Sequence, residues 1–337
     1  MDTGVVQNIA VPLWVWAAFL GGVFGVLALD LGVFNRKAHV VSAKEAAIWT
    51  AVWVSLGLAF AGLVFAWQGQ QKGLEWLTGY VVEYSLAVDN IFVFVLVFSY
   101  FKVPPQYRHR VLFWGILGAL VMRGAMIFLG AALIKEFHWI LLLFGGFLLF
   151  TGFRMLFEKD DKEHVDLEMN PAVRIAKRFF KVSPNYDGQK FFTVENGIRV
   201  ATPLFLVLVF IEFTDLIFAV DSIPAIFAIT TDPFIVFTSN IMAILGLRSL
   251  YFLLADVVDR FVFLKKGLAI ILAFVGVKML LPDVSMWITG VSTKIPTFIS
   301  LTVILSVLAI SVIASLIVTA RRPQQLQVDE RGVHVKE

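Results

Sequence analysis

The sequence predicts an all-α, polytopic membrane protein with nine transmembrane helices, its N-terminus outside and its C-terminus cytoplasmic. Three observations predict this. Apolar residues fill 59% of the 337 positions and charged residues only 16%, where soluble chains carry about a quarter. Nine apolar runs each approach the ~20 residues that cross a bilayer. The Lys and Arg counts of the loops between them alternate high and low along the whole chain.

In order, the spans are expected at about 12–33, 46–67, 75–100, 111–134, 138–157, 202–229, 234–255, 262–281 and 298–319. The first has no basic stretch before it, Asp2 being the only charged side chain before Pro12, and no small-residue cleavage signal after it. It reads as a retained helix. Three basic residues follow it (Arg36, Lys37, Lys44), then one (Lys72), three (Lys102, Arg108, Arg110), one (Lys135) and eight in 158–200. None precede helix seven; then come three (Arg260, Lys265, Lys266), one (Lys294), and Arg321 with Arg322 at the last helix end. Basic loops face the cytoplasm, which fixes the orientation. A missed or false span would break the alternation.

The 158–200 segment is the one sizeable cytoplasmic piece. It opens acidic (Glu158, Asp160, Asp161, Glu163, Asp166, Glu168). Arg174, Lys177, Arg178 and Lys181 then form one basic face of a helix over 171–182, suited to anionic headgroups or simply to water. Runs 191–194 and 198–201 around Glu195-Asn196-Gly197 signal a hairpin. Residues 321–337 are expected to form a polar cytoplasmic tail. No face of the chain concentrates basic residues for nucleic acid. The absence of cysteine removes thiol redox and thiolate metal chemistry.

Two segments repeat. Helix three carries Glu83, then Ala-Val-Asp89-Asn90; helix six carries Asp215, then Ala-Val-Asp221-Ser222. The match continues as Arg123 in helix four with Arg248 in helix seven, and as Gly152-Phe-Arg-Met-Leu with Gly276-Val-Lys-Met-Leu in helices five and eight. Residues 75–157 and 202–281 thus read as repeats A and B, each of three helices. An odd number of spans inverts the second copy, an architecture typical of secondary transporters with a midplane site between copies.

Glu83, Asp89, Glu212, Asp215 and Asp221 all fall within apolar runs. Each charge at the bilayer centre costs roughly 2.5–3.5 kcal/mol, so they must be paired, protonated or bound to cations. Arg123 and Arg248, the intramembrane charge partners, are too few to balance five carboxylates. At 100° per residue, Glu83 shares a face with Asn90, Asp215 shares one with Ser222, and Glu212 lies on the Asp215 stripe. Asp89 and Asp221 point roughly 120° away on straight helices, so their joining the site requires bending. Pro224 is expected to break helix six there and free carbonyls as further ligands. The predicted metal site is therefore Glu83, Asp89, Asn90, Glu212, Asp215, Asp221 and Ser222. Asp30 is a weaker vestibule candidate, and Asn240, Asp256 and Asp259 read as helix-end or packing groups. His39, His109, His138, His164 and His334 lie in loops or at helix ends. An all-oxygen site suits hard ions such as Mg²⁺, Mn²⁺ or Ca²⁺ over Zn²⁺ or Cu⁺; sodium or protons alone also fit.

The two Ala-Val-Asp helices, with Leu-Ala-Leu-Asp30-Leu-Gly-Val-Phe and Ser239-Asn240-Ile-Met-Ala-Ile-Leu-Gly-Leu-Arg248, resemble the TerC family, nearest its Alx-type members, over about residues 10–320. The resemblance implies a multi-pass protein of the bacterial inner membrane, in a family named for tellurium resistance, whose implied role is Mn²⁺ export. Mn²⁺ is then expected to pass as substrate in exchange for protons, and no permanently bound cofactor is expected. Tellurite, an oxyanion, fits acidic motifs poorly. With no G-x-x-x-x-G-K-[ST] loop, ATP hydrolysis by this chain is not expected, and neither is enzymatic activity. The competing reading is a non-transporting scaffold of a tellurite or stress-resistance complex. An intramembrane aspartyl protease would need a Gly-x-Gly-Asp context that is missing.

Overall fold

The computed structural model describes residues 11–29, 40–157, 171–255 and 257–321. Asp30, the acidic run 158–168, Asp256 and residues 322–337 lie outside them. Among the described residues the chain is helical apart from one hairpin: α1 (Leu13–Leu29), α2 (Ala43–Gln68), α3 (Gln70–Tyr100), α4 (Pro105–Glu136), α5 (Ile140–Phe157), α6 (Pro171–Phe179), β1 (Phe192–Glu195), β2 (Ile198–Ala201), α7 (Pro203–Phe227), α8 (Pro233–Leu245), α9 (Leu247–Leu254), α10 (Leu264–Thr289) and α11 (Thr297–Arg321). Eight segments are long and apolar enough to cross a membrane, with α8 and α9 counting as one; α1 is a shorter apolar helix. The chain is a polytopic all-α membrane protein.

The helix limits follow from local chemistry. Pro105, Pro203 and Pro233 open α4, α7 and α8, where a fixed φ helps and the missing N–H costs nothing. Asp232 caps α8 by accepting from the Phe234 and Ile235 amides at 3.0 and 3.5 Å. Gly290 ends α10 in the left-handed conformation, φ +74°. Several helices outrun their apolar cores: α3 starts at Gln70 where 75 was expected, α4 at Pro105 where 111 was, and α10 continues to Thr289, past 281. Polar end residues explain the difference. Lys72, for instance, bridges Glu75 and Asp232 at 3.1 Å each and so extends α3 beyond its apolar run.

Two expectations about breaks are corrected. α7 runs unbroken through Pro224. That proline sits one turn from the helix end, so its missing donor orphans a single carbonyl, and close packing against neighbours holds the helix together. Helix seven, expected to be one segment, instead divides at Gly246 into α8 and α9. Tyr84 and Trp53 crowd that glycine, at 3.2 and 3.5 Å from where a Cβ would stand.

α8 is buried throughout and forms the centre of the bundle. It packs on α3 and α4, which also pack on α7, while α5 packs along α10. Trp76 of α3 donates to Thr238 Oγ1 of α8 at 2.9 Å, a satisfied polar contact inside the apolar core. The α5–α10 contact is reciprocal. A Cβ on Gly152 would stand 2.7 Å from Ala273 N and 2.8 Å from Ala269 O; one on Gly276 would stand 2.8 Å from Leu149 N and 2.9 Å from Gly145 O. Each glycine thus meets backbone three and seven residues before the other.

On the exterior, α6 packs on α7 through buried Val173 and Ala176 and leaves Ile175 and Phe179 exposed. It is shorter than the 171–182 expected. β1 and β2 pair antiparallel through a two-residue turn at Asn196 (φ +50°) and Gly197 (φ +75°), the positive-φ pair favoured in tight hairpins. Phe180 and Phe192 pack on Phe205 in the first turn of α7, fixing this module at one end of the bundle.

Candidate functional site

α3 and α7 cross beside α4, and their polar faces meet on Arg123. This guanidinium, 1% exposed, donates to Asp215 twice, Nε to Oδ2 at 3.0 Å and Nη2 to Oδ1 at 2.7 Å. Its Nη1 donates to Glu83 Oε1 and, at 3.3 Å, to Ser222 Oγ. Asn90 Nδ2 reaches Asp215 Oδ1 at 3.5 Å. Glu83, Asn90, Asp215 and Ser222 therefore come together as their helical spacing predicts, but around an arginine. Among the described residues Glu83 Oε2 has no hydrogen-bond partner.

Asp89 and Asp221 join without any break in α7. Both line a cavity together with Glu83, Asn90, Arg123 and Ser222, closed by Leu86, Phe218, Met155 of α5 and Leu272 of α10. The faces that diverge on single helices become opposite walls of one space, because α5 and α10 close its far side. Asp221 accepts from Thr151 Oγ1 at 3.3 Å; among the described residues Asp89 makes no hydrogen bond or ion pair. Glu83 and Asp215 share the guanidinium, and Asp89 and Asp221 line the cavity it borders without bonding it.

The remaining candidates separate from this cluster. Glu212 lies with its carboxylate against Gly118 of α4, where any Cβ would collide with it, and it lines neither cavity. Arg248 borders a second cavity with Asp215, walled by Phe94, Leu112, Gly115, Ile116, Ala119, Ile211, Ile244 and Leu247. It occupies the half of the bundle nearest α6 and the hairpin. Asp30 lies outside the described residues. Among those residues no three of His, Asp and Glu gather closely enough to hold an ion by themselves, since Arg123 separates Glu83 from Asp215.

Sequence reasoning missed Thr151, Met155, Phe218 and Leu272. Of these only Thr151, a hydroxyl in an apolar run, carried a readable signal. It read Asn240 as a helix-end or packing group. That residue is 0% exposed in the middle of α8, and neither atom of its amide has a partner.

The chain matches the description "Integral membrane protein TerC family" over residues 68–323. It is 51% identical to an uncharacterised membrane protein of Myxococcus xanthus, over 91% of this chain and 93% of that one. It is 46% identical to a protein named "Putative membrane-bound redox modulator Alx" from Salmonella typhi, and 45% identical to that of Escherichia coli K12; each comparison covers 95% of this chain and 99% of the relative. No solved structure matches. A match across three quarters of the chain, together with full-length relatives at this identity, identifies the protein as a member of the TerC family of integral membrane proteins.

Proposed function

We propose that this protein is a secondary transporter that exports divalent metal cations, Mn²⁺ foremost, across the bacterial inner membrane in exchange for protons. The observation that carries the reading is the pair Asp89 and Asp221. They stand at matched positions of the two Ala-Val-Asp segments, on different helices, and line one intramembrane cavity with no basic side chain among the described residues bonded to either. Unpaired carboxylates are too costly in the membrane to be ornaments of packing.

The cavity offers a shedding cation Asp89, Asp221, the free Glu83 Oε2, and the amide and hydroxyl oxygens of Asn90 and Ser222. Such oxygen donors suit a hard or borderline divalent ion. Arg123 performs the opposite service. With the site empty it neutralises Glu83 and Asp215, and an arriving ion competes with it for Glu83. Asp89 and Asp221, on which Lys265 and Arg154 act only at a distance without a direct bond, are the groups to carry protons on the return leg. The matched motifs and the reciprocal Gly152–Gly276 contacts support two inverted repeats that rock about a shared axis.

Redox chemistry, the role in the name of the Alx relatives, has no thiol to use in this chain, so a redox effect would follow indirectly from metal movement. The test is Mn²⁺ flux in proteoliposomes, with and without a pH gradient, for wild type, Asp89→Asn and Asp221→Asn. Wild-type flux driven by the gradient and lost in both variants is expected. Equal flux in all three proteins would sink the mechanism, and a scaffold role would leave the resistance phenotype of both variants intact.

A further inference from the structure

The two halves of the bundle differ in a way that assigns a role to Asn240. Pairing Arg123 with Arg248 places Gly115 opposite Asn240, each eight residues before its arginine. Pairing Asp215 with Glu83 likewise places Ile211 opposite Gly79, each four residues before its acid. Gly115, Ile211 and Asp215 line the open cavity in the half nearest α6. Their counterparts in the other half are closed. A Cβ on Gly79 would stand 2.9 Å from Ser239 Oγ and 3.6 Å from Ile226 Cγ2. Phe237, the counterpart of Leu112, is 4% exposed and fills the space against Gly124. One cavity is thus open on one side of the Arg123 cluster, and the symmetry-related space is shut on the other.

Asn240 lies in the shut half. Its amide is wholly buried with oxygen and nitrogen both unbonded, whereas Thr238 and Ser239 beside it both bond backbone carbonyls, at 2.7 Å. Buried amides are normally satisfied. A packing role would be met better by an apolar side chain, which has no polar atoms to leave unpaired. On α8, Asn240 stands one turn from Ile244, which already lines the open cavity.

We propose that Asn240 is a cation ligand of the opposite-facing state, in which the space between α3, α7 and α8 opens while the cavity beside Asp215 closes. Its amide oxygen then receives the ion released from Glu83, a hard-donor contact suited to a divalent cation. In the closed state it waits desolvated. This inference rests on the transport reading and adds the ligand of the exit path.

The absence of cysteine makes the test clean. Gly115→Cys and Asn240→Cys are each labelled with a membrane-impermeant thiol reagent applied to either face of sealed vesicles. Residue 115 is expected to react from the face bearing α6 and residue 240 from the opposite face, with Mn²⁺ changing the rate at residue 115. In flux assays Asn240→Leu is expected to raise the KM for Mn²⁺ on the order of tenfold, and Asn240→Gln, which keeps an amide oxygen, to raise it less. Labelling of 240 from neither face, or an unchanged KM in Asn240→Leu, overturns the assignment while wild-type flux stands. A wild type without flux overturns the transport reading itself, and Asn240's role as a ligand with it.

Discussion

Replacing Arg123 by glutamine removes the cation that Glu83 and Asp215 share. Deleting one partner of a buried ion pair typically costs about 3–5 kcal/mol, because the other charge is left uncompensated. Glutamine can restore one hydrogen bond, worth about 1 kcal/mol. The expected net loss is therefore about 2–4 kcal/mol, a large part of a total stability of about 5–15 kcal/mol. Removing the stranded charge as well should recover much of it, so Arg123→Gln with Asp215→Asn should be more stable than Arg123→Gln alone, with a coupling of at least about 1 kcal/mol. The assay is unfolding in mixed micelles titrated with SDS, followed through the nine tryptophans. An Arg123→Gln protein within about 0.5 kcal/mol of wild type, or strictly additive single and double variants, would refute the claim that this arginine neutralises the buried acids.

Three further outcomes are expected. Gly152→Ala and Gly276→Ala should each destabilise by about 1–3 kcal/mol through backbone overlap, while Gly146→Ala, which meets nothing within 4 Å, should be neutral in the same SDS titration. A fluorophore on Phe179→Cys should be quenched by acyl-chain nitroxide lipids at least about twofold more than one on Lys177→Cys, because Ile175 and Phe179 form the exposed apolar stripe of α6 beside a basic one; equal quenching would remove α6 from the bilayer surface. Asp187 accepts from Thr193 at 2.7 Å and Lys190 at 2.9 Å, which hold its carboxyl below the ordinary range. A depressed folded value stabilises the hairpin while the group is ionised and loses that contribution as pH falls through it. Hairpin protection measured by amide exchange should therefore decline on acidification in wild type and not in Asp187→Asn.

Membrane architecture was legible because lipid imposes length and polarity on every span, and the basic loops punctuate them. The central cluster was legible in part for a related reason: seven-residue spacings put Glu83 with Asn90 and Asp215 with Ser222 on single helical faces. Helical geometry says nothing about which third helix stands opposite. Arg123 was therefore visible as an intramembrane charge but not as the centre of the cluster, and the cavity joining Asp89 to Asp221 depends on Met155 and Leu272, apolar residues that no pattern marks. Pro224 misled because a proline's effect is set by what packs around it. Asn240 stayed open between capping and packing because an amide in an apolar run reads the same in either role.

The paired glycines of α5 and α10 carry a consequence for how the halves of this chain can change. Each is a notch cut for the other helix's backbone, so a methyl group added to one repeat is felt as a displacement in the other. The two Gly-x-[Arg/Lys]-Met-Leu segments are therefore tied by contact as well as by likeness of sequence. Drift can loosen the loops, helix ends and lipid-facing sides of each copy separately, but along this seam a substitution in one half needs an answer in the other.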